Sequence, residues 1–208
     1  MSAATIKSHF PQLSNEQLDQ FAQAAEVYRD WNQKINVISR NDMENLETRH
    51  LLHSLAIAKF ISFKPGAEIM DLGTGGGFPG VPLAILFPEV DFLLIDSIGK
   101  KIKVVNEVVQ AIGLKNVVGR QGRAEEVKYQ FDFVVTRAVA PMPELHKWTQ
   151  GKLKKQGMHS IPNGIIALKG GNLTEELQVF GKRVLVEPLT QWFSDPFFEE
   201  KKLVYLPA

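Results

Sequence analysis

Apolar residues in the first sixty positions recur at helical spacing, and from residue 67 the rhythm changes to short apolar runs separated by amphipathic stretches. Ser14 followed by Gln17, just after Pro11, has the form of a capping box. It predicts a helix running to about Ser39, with Leu18, Phe21, Ala25, Tyr28 and Trp31 on its buried face. A second helical stretch is predicted over 42–60, with Leu51, Leu52, Leu55 and Ala58 turned inward. Residues 62–65 then read as a hinge, so a helical extension over 1–64 precedes a domain over 65–208.

Within that domain, strands are predicted at 68–72, 92–96, 116–119, 131–136, 165–169, 183–186 and 202–206. Helices are predicted near 80–87, 99–112, 142–154 and 173–180. Strands rich in Val, Ile, Leu and Phe that alternate with helices describe an α/β fold, its mostly parallel sheet covered on both faces. Only the last two strands stand close enough for a hairpin, which predicts an antiparallel last strand.

Composition narrows the class. The 208 residues are 44% hydrophobic and 23% charged, which suits a globular protein and not a disordered one. No apolar run approaches the ~20 residues of a membrane helix, and the first ten residues lack the basic-then-apolar pattern of a secretory leader. A cytoplasmic protein without membrane contact is therefore expected. There is no cysteine, which removes thiolate nucleophiles, disulfides and cysteine-ligated metals. A net charge of +1 does not announce a nucleic-acid binder. Local basic clusters exist at Lys100, Lys101 and Lys103, at Arg120 and Arg123, and at Lys147, Lys152, Lys154 and Lys155. Each alone reads as a solvated face; a rim shared around one cleft would suit RNA phosphates.

The most informative segment is the glycine-rich run from Asp71 to Gly80, which follows a predicted strand and precedes a predicted helix. Glycines there let the chain turn sharply and let a ligand lie on the main chain, at the strand ends where open α/β sheets bind ligands. Gly75-x-Gly77-x-x-Gly80 also matches a dinucleotide fingerprint, a weak signal taken alone. Charge separates the readings. A carboxylate at Asp71 would repel a pyrophosphate but would favour the sulfonium and ammonium of S-adenosylmethionine. A turn-capping role for Asp71 is the plainer alternative. Asp96 ends the second strand, where a carboxylate can accept both ribose hydroxyls of an adenosine. The Gly122-Arg123-Ala124-Glu125-Glu126 stretch follows the third strand, where such folds flank the adenine.

Together these stations resemble the glucose-inhibited division protein B family, bacterial methyltransferases acting on guanine N7 of small-subunit ribosomal RNA. The matching strings are Trp31-Asn32 with Asn36, Arg49-His50-Leu51, the run Asp71 to Gly80, and Asp96-Ser97 with Lys100-Lys101. Arg123-Ala124-Glu125-Glu126, Thr136-Arg137-Ala138 and Leu168-Lys169-Gly170 complete the set, and the similarity spans about 15–205. The resemblance implies a Rossmann-like sheet that uses S-adenosylmethionine and releases S-adenosylhomocysteine. It implies cofactor contacts at Gly73, Phe78, Asp96, Ala124, Glu125 and Arg137, to which the reading of the glycine-rich run adds Gly75 and Asp71. Two departures stand out: His53 where the family has an aspartate, and a longer irregular stretch over 156–164.

Guanine N7 carries a free lone pair at neutral pH, so this reaction asks for positioning and desolvation, worth up to ~7–11 kcal/mol, and not for a base. That fits a chain without a Gly-x-Ser-x-Gly elbow or a metal-spaced histidine pair. No catalytic residue is expected beyond Arg137, which would hold the cofactor carboxylate, a substrate phosphate or guanine O6 through its planar fork. An ion pair with Asp132 or Glu144 is its structural alternative. Arg123, Lys169 and Lys100 are the candidate RNA contacts, while His50 and Trp31 read as packing residues. The expected partner is ribosomal RNA or the small ribosomal subunit, met by a monomer without metal. A methyltransferase for a small molecule or protein, or a non-catalytic binding module, are the competing readings.

Overall fold

The computed structural model describes residues 2–208. Helix α1 (Ser2–His9) is followed by α2 (Asn15–Lys34), which opens with the expected reciprocal cap between Ser14 and Gln17. Leu18, Phe21, Ala25 and Tyr28 are buried along one stripe of α2. The helix stops at Lys34, short of the predicted end, because Asn32 competes for the backbone beyond it. Its buried side-chain amide accepts from the Val37 and Ile38 N–H groups (2.9 Å each) and donates to the Ile38 carbonyl (2.8 Å). That arrangement folds 35–38 into a tight return.

The predicted second helix is three pieces: α3 (Arg40–Met43), a π-helical turn over Glu47–Leu52, and α4 (His53–Phe60). The remaining helices are α5 (Gly80–Leu86), α6 (Gly99–Ala111), α7 (Met142–Trp148) and α8 (Thr174–Leu177). α7 ends well before the predicted 154, since Gly151 turns the chain with φ 73° and Leu153 bridges to Phe131.

Seven strands form one sheet: β1 (Glu68–Leu72), β2 (Asp91–Asp96), β3 (Val117–Gln121), β4 (Phe133–Arg137), β5 (Gly164–Gly170), β6 (Leu185–Pro188) and β7 (Lys201–Pro207). Their order is β3-β2-β1-β4-β5-β7-β6, and β1 to β5 pair in parallel. β7 runs antiparallel to both β5 and β6, as expected of the last strand.

Alternation along the strands feeds two apolar layers. Ile69, Phe92, Leu94, Phe133, Val135 and Ile166 face the layer that includes α1, α2 and α4 to α6. Met70, Leu72, Ile95, Val134, Ile165 and Ala167 face α7 and α8. The N-terminal helices thus share one continuous core with the sheet. Among the described residues no helix is long and apolar enough to cross a membrane.

Because Asn32 satisfies three backbone groups at once, Asn32→Ala should lower the unfolding free energy by about 2–4 kcal/mol. A fall in the urea midpoint at unchanged slope would show it; an unaltered midpoint would mean that 35–38 holds its shape without the amide.

Candidate active site

A cavity of about 530 Å³ opens above the carboxyl ends of β1, β2 and β4. Its floor is the glycine turn. Gly73 and Gly75 adopt φ 67° and 59°, which disfavour other residues, and a Cβ on Gly73 would stand 2.6 Å from Val139. Gly73 and Val139 therefore close the gap between the turns after β1 and β4.

Underneath lies Asp71. It shares strand parity with Ile69, so its side chain points into the layer of N-terminal helices, fully buried. One oxygen accepts from the Thr74 hydroxyl (2.6 Å) and the Gly80 N–H (2.8 Å), and the other has no partner. Asp71 does not line the cavity, which corrects the expectation that it stands against the ligand. It ties the turn to the start of α5. Burial raises its pKa to about 7, with the Thr74 and Gly80 hydrogen bonds opposing the rise.

The rest of the turn is equally self-contained. Thr74 N–H donates to the Ile95 carbonyl, and both Gly77 and Phe78 N–H donate to the Thr74 carbonyl. Gly75 N–H donates to Asp96 (2.9 Å). These four donors are spent internally, and the first N–H of α5 is capped by Asp71, while the Gly73 and Gly76 N–H groups have no partner among the described residues. Two separated free N–H groups are fewer than the run of successive donors with which a dinucleotide fold holds pyrophosphate.

Asp96 lines the cavity as expected. Its two oxygens accept from Gly75 and Ile98 N–H, with Lys101 at 3.8 Å. A carboxylate has about four acceptor positions, so two remain for a ligand. Ala124 and Glu125 line the far wall on a 3-10 turn that Glu126 secures through the Arg123 N–H.

Phe78 and Arg137 face each other across the cavity's inner end. The guanidinium lies 5.0 Å from the Phe78 ring, which also packs on Tyr28 (4.8 Å) and His50 (5.2 Å). Arg137 makes no ion pair within the described residues. Asp132, its suggested partner, is held instead by Lys154. Burial lowers the Arg137 pKa to about 10, so it remains a cation at neutral pH.

The three basic candidates diverge. Arg123 lines the cavity rim. Lys100 is exposed on α6 outside the lining, where Lys101 takes the inward place. Lys169 is spent: its ammonium donates to the Ala140 carbonyl (2.6 Å) and to Glu176 (2.8 Å). Lys154 pairs with Glu68 and Asp132 at the amino ends of the central strands, away from the cavity, and Lys152 is spent on the Glu125 and Val127 carbonyls.

A family profile described as rRNA small subunit methyltransferase G matches residues 14–204. The chain belongs to that family. Proteins named ribosomal RNA small subunit methyltransferase G are 55% identical in Bacteroides thetaiotaomicron, over 96% of this chain and 97% of that one. The Flavobacterium johnsoniae protein of that name is also 55% identical, over 97% and 96%. The fold recurs in solved structures. A SAM-dependent methyltransferase from Aquifex aeolicus superposes with a TM-score of 0.55 at 15% identity, covering 81% of this chain and 98% of that one. Precorrin-6y C5,15-methyltransferase from Geobacter metallireducens gives 0.56 at 13%, covering 76% and 88%.

The two departures from the family pattern have structural accounts. His53 is buried edge-on against Phe197 (5.4 Å) and Phe198 (6.0 Å), and burial holds its pKa well below the ordinary range. It serves as an aromatic packing residue. The 156–164 stretch is closed by Asn163, which donates to the Lys154 and Gln156 carbonyls far from the cavity.

Sequence reasoning missed Val37, Ile98 and Val139 as cavity walls, and His50 as a neighbour of Arg137. Val37 was recoverable, since Asn32 and Asn36 flag a turn after α2; nothing local marked Ile98 or Val139.

Asp71 supplies a pH test. Its folded pKa of about 7 exceeds the unfolded value of 3.8, so the native state keeps a proton that the unfolded chain has released. This one group therefore makes the protein less stable as pH rises between those values, by roughly 4 kcal/mol at most. Asp71→Asn removes that dependence. The stability of the variant relative to the parent should rise from about pH 4 to pH 8 in parallel thermal melts; a constant difference would show that Asp71 is ionised throughout.

Proposed function

We propose that the chain transfers a methyl group from S-adenosylmethionine to N7 of a guanine in small-subunit ribosomal RNA, acting in the cytoplasm as a monomer. In this reading residues 65–208 form the catalytic domain and 1–64 an extension that walls its cavity. The observation that carries it is the pairing of a glycine turn most of whose N–H groups are internally spent with a cavity-lining carboxylate, Asp96, each of whose oxygens has one protein donor and room for another. Such a site suits a phosphate-free adenosine with cationic groups.

When bound, S-adenosylmethionine supplies an electrophilic methyl on a sulfonium and leaves as S-adenosylhomocysteine. The residues do the rest. Asp96 accepts the ribose hydroxyls, and Ala124 and Glu125 border the base. Gly73 and Gly75 allow close approach over the turn, while Phe78 shields the inner end from water. Arg137 offers its free N–H groups to an anion, either the methionine carboxylate or a substrate phosphate. Arg123 at the rim is placed for RNA. No residue needs to remove a proton, because N7 is already a nucleophile; the work is alignment and exclusion of water.

Methylation of ribosomal RNA with labelled donor, followed by mapping of aniline-sensitive sites, should reveal one N7-methylguanine. Label on another atom, or turnover of a free metabolite with none on RNA, would refute the assignment. Arg137→Ala should cut kcat/KM by about 100-fold or more at unchanged melting temperature. If the loss appears as weaker S-adenosylmethionine binding, Arg137 holds the carboxylate; if it appears in the KM for RNA, it holds a phosphate. Full activity would remove Arg137 from the reaction.

A further inference from the structure

Arg137 is held by two neutral acceptors. One terminal nitrogen donates to the Arg49 carbonyl (3.1 Å) and the other contacts Nδ1 of His50 (2.9 Å). A guanidinium only donates, so His50 Nδ1 must be the acceptor and the imidazole proton must sit on Nε2. A cationic ring would set two donors against each other. Burial, followed by the Arg137 charge, lowers the His50 pKa to about 3, which keeps the ring in that neutral tautomer.

The ring has little freedom to leave. It packs on Phe78 at 5.2 Å, and the His50 carbonyl accepts from the Ser54 hydroxyl (2.6 Å) and the His53 N–H. The π-helical turn over Glu47–Leu52 presents the Arg49 carbonyl and the His50 side chain to the same guanidinium. Wide turns of this kind recur where a helix must aim a group at a site.

Electrostatics explains why a histidine and not an acid stands here. Asp42 is engaged by Arg49 (2.8 Å) and by the Ser39 hydroxyl (2.7 Å), leaving Arg137 without an ion pair. Two of its five N–H groups are spent on uncharged acceptors, the residue lines the cavity, and the acid that acts most on its charge, the buried Asp71, makes no hydrogen bond to it. A carboxylate at position 50 would grip the guanidinium equally well and neutralise it.

We infer that His50 is a positioning residue for the transfer: as a neutral acceptor it fixes the Arg137 guanidinium over Phe78 while leaving its charge available to a bound anion. The inference rests on the proposed role of Arg137.

Three substitutions separate the ingredients. His50→Asn offers an uncharged oxygen near the place of Nδ1, His50→Gln carries its acceptor farther out, and His50→Asp supplies an acceptor with a charge. His50→Asn should stay within about threefold of the parent in kcat/KM. The Gln and Asp variants should each lose about 10- to 100-fold, the scale of one hydrogen bond to a charged group, at unchanged melting temperatures. In an Arg137→Ala background the Gln substitution should cost less than about twofold, since its target is gone. Where turnover of that background is too low, the same cycle is read in calorimetric affinity for S-adenosylmethionine and for ribosomal RNA.

Equal losses in both backgrounds, or an Asn variant as weak as Gln, would overturn the positioning role. An Asp variant as active as Asn would overturn the need for a neutral acceptor. Full activity of Arg137→Ala itself would sink the role of Arg137 and this inference with it, whereas an impaired Arg137→Ala with additive His50 losses would sink this inference alone.

Discussion

The carboxylate of Asp71, sealed beneath the glycine turn, sets the geometry on which the rest of the site depends. By holding the Thr74 hydroxyl and the first N–H of α5, it folds residues 73–79 back over the end of β1. Together with the Ile95 and Thr74 carbonyls and Asp96, it uses up most of the donors which, in a dinucleotide fold, would face a pyrophosphate. What remains is a backbone floor whose free N–H groups are those of Gly73 and Gly76, and a neighbouring acid on β2 that secures Gly75 and Ile98 while keeping acceptor positions open. The same interaction carries a cost, since a buried carboxylate with an unpartnered oxygen is poorly solvated, as its raised pKa records.

Above this floor the N-terminal helices build part of the site as well as covering the sheet. Asn32 ends α2 and folds 35–38 so that Val37 becomes a cavity wall. Tyr28 from the same helix supports Phe78, and the π turn before α4 supplies both acceptors for Arg137. The groups in direct contact with the positive charge at the inner end of the cavity are a peptide carbonyl, an imidazole and an aromatic face, with the Asp71 carboxyl acting on it from beneath the turn without a hydrogen bond. A carboxylate hydrogen-bonded to the guanidinium would have been stronger in isolation and less useful to an anionic ligand.

Much of this was legible in the residues. The sheet and its antiparallel last strand followed from apolar runs at strand length, and the turn, Asp96 and Arg137 from motifs at strand ends. The errors have physical causes. Charge complementarity alone puts Asp71 against a cationic ligand, but it does not say which face of the strand the side chain takes. Its parity with Ile69 already placed it on the helix-covered face, and the Thr74 hydroxyl three residues on was an available partner. The overlong first helix ignored Asn32, whose side chain competes with the helical ladder. Lys169 reads as a free cation until Glu176, one helix later, is brought against it. His50 carried no local signal, because its partner lies far along the chain. Membership in the rRNA small subunit methyltransferase G family agrees with the motif reading across nearly the whole chain.

The central claim is that the floor over Asp71, with Asp96 beside it, receives a phosphate-free cationic adenosine. Calorimetric titration of the intact protein with S-adenosylmethionine and, separately, with NAD tests it most directly. The account predicts saturable one-to-one binding of the first, weakened about tenfold or more in Asp96→Ala, and no heat from the second. Binding of NAD, or S-adenosylmethionine affinity indifferent to Asp96, would contradict it.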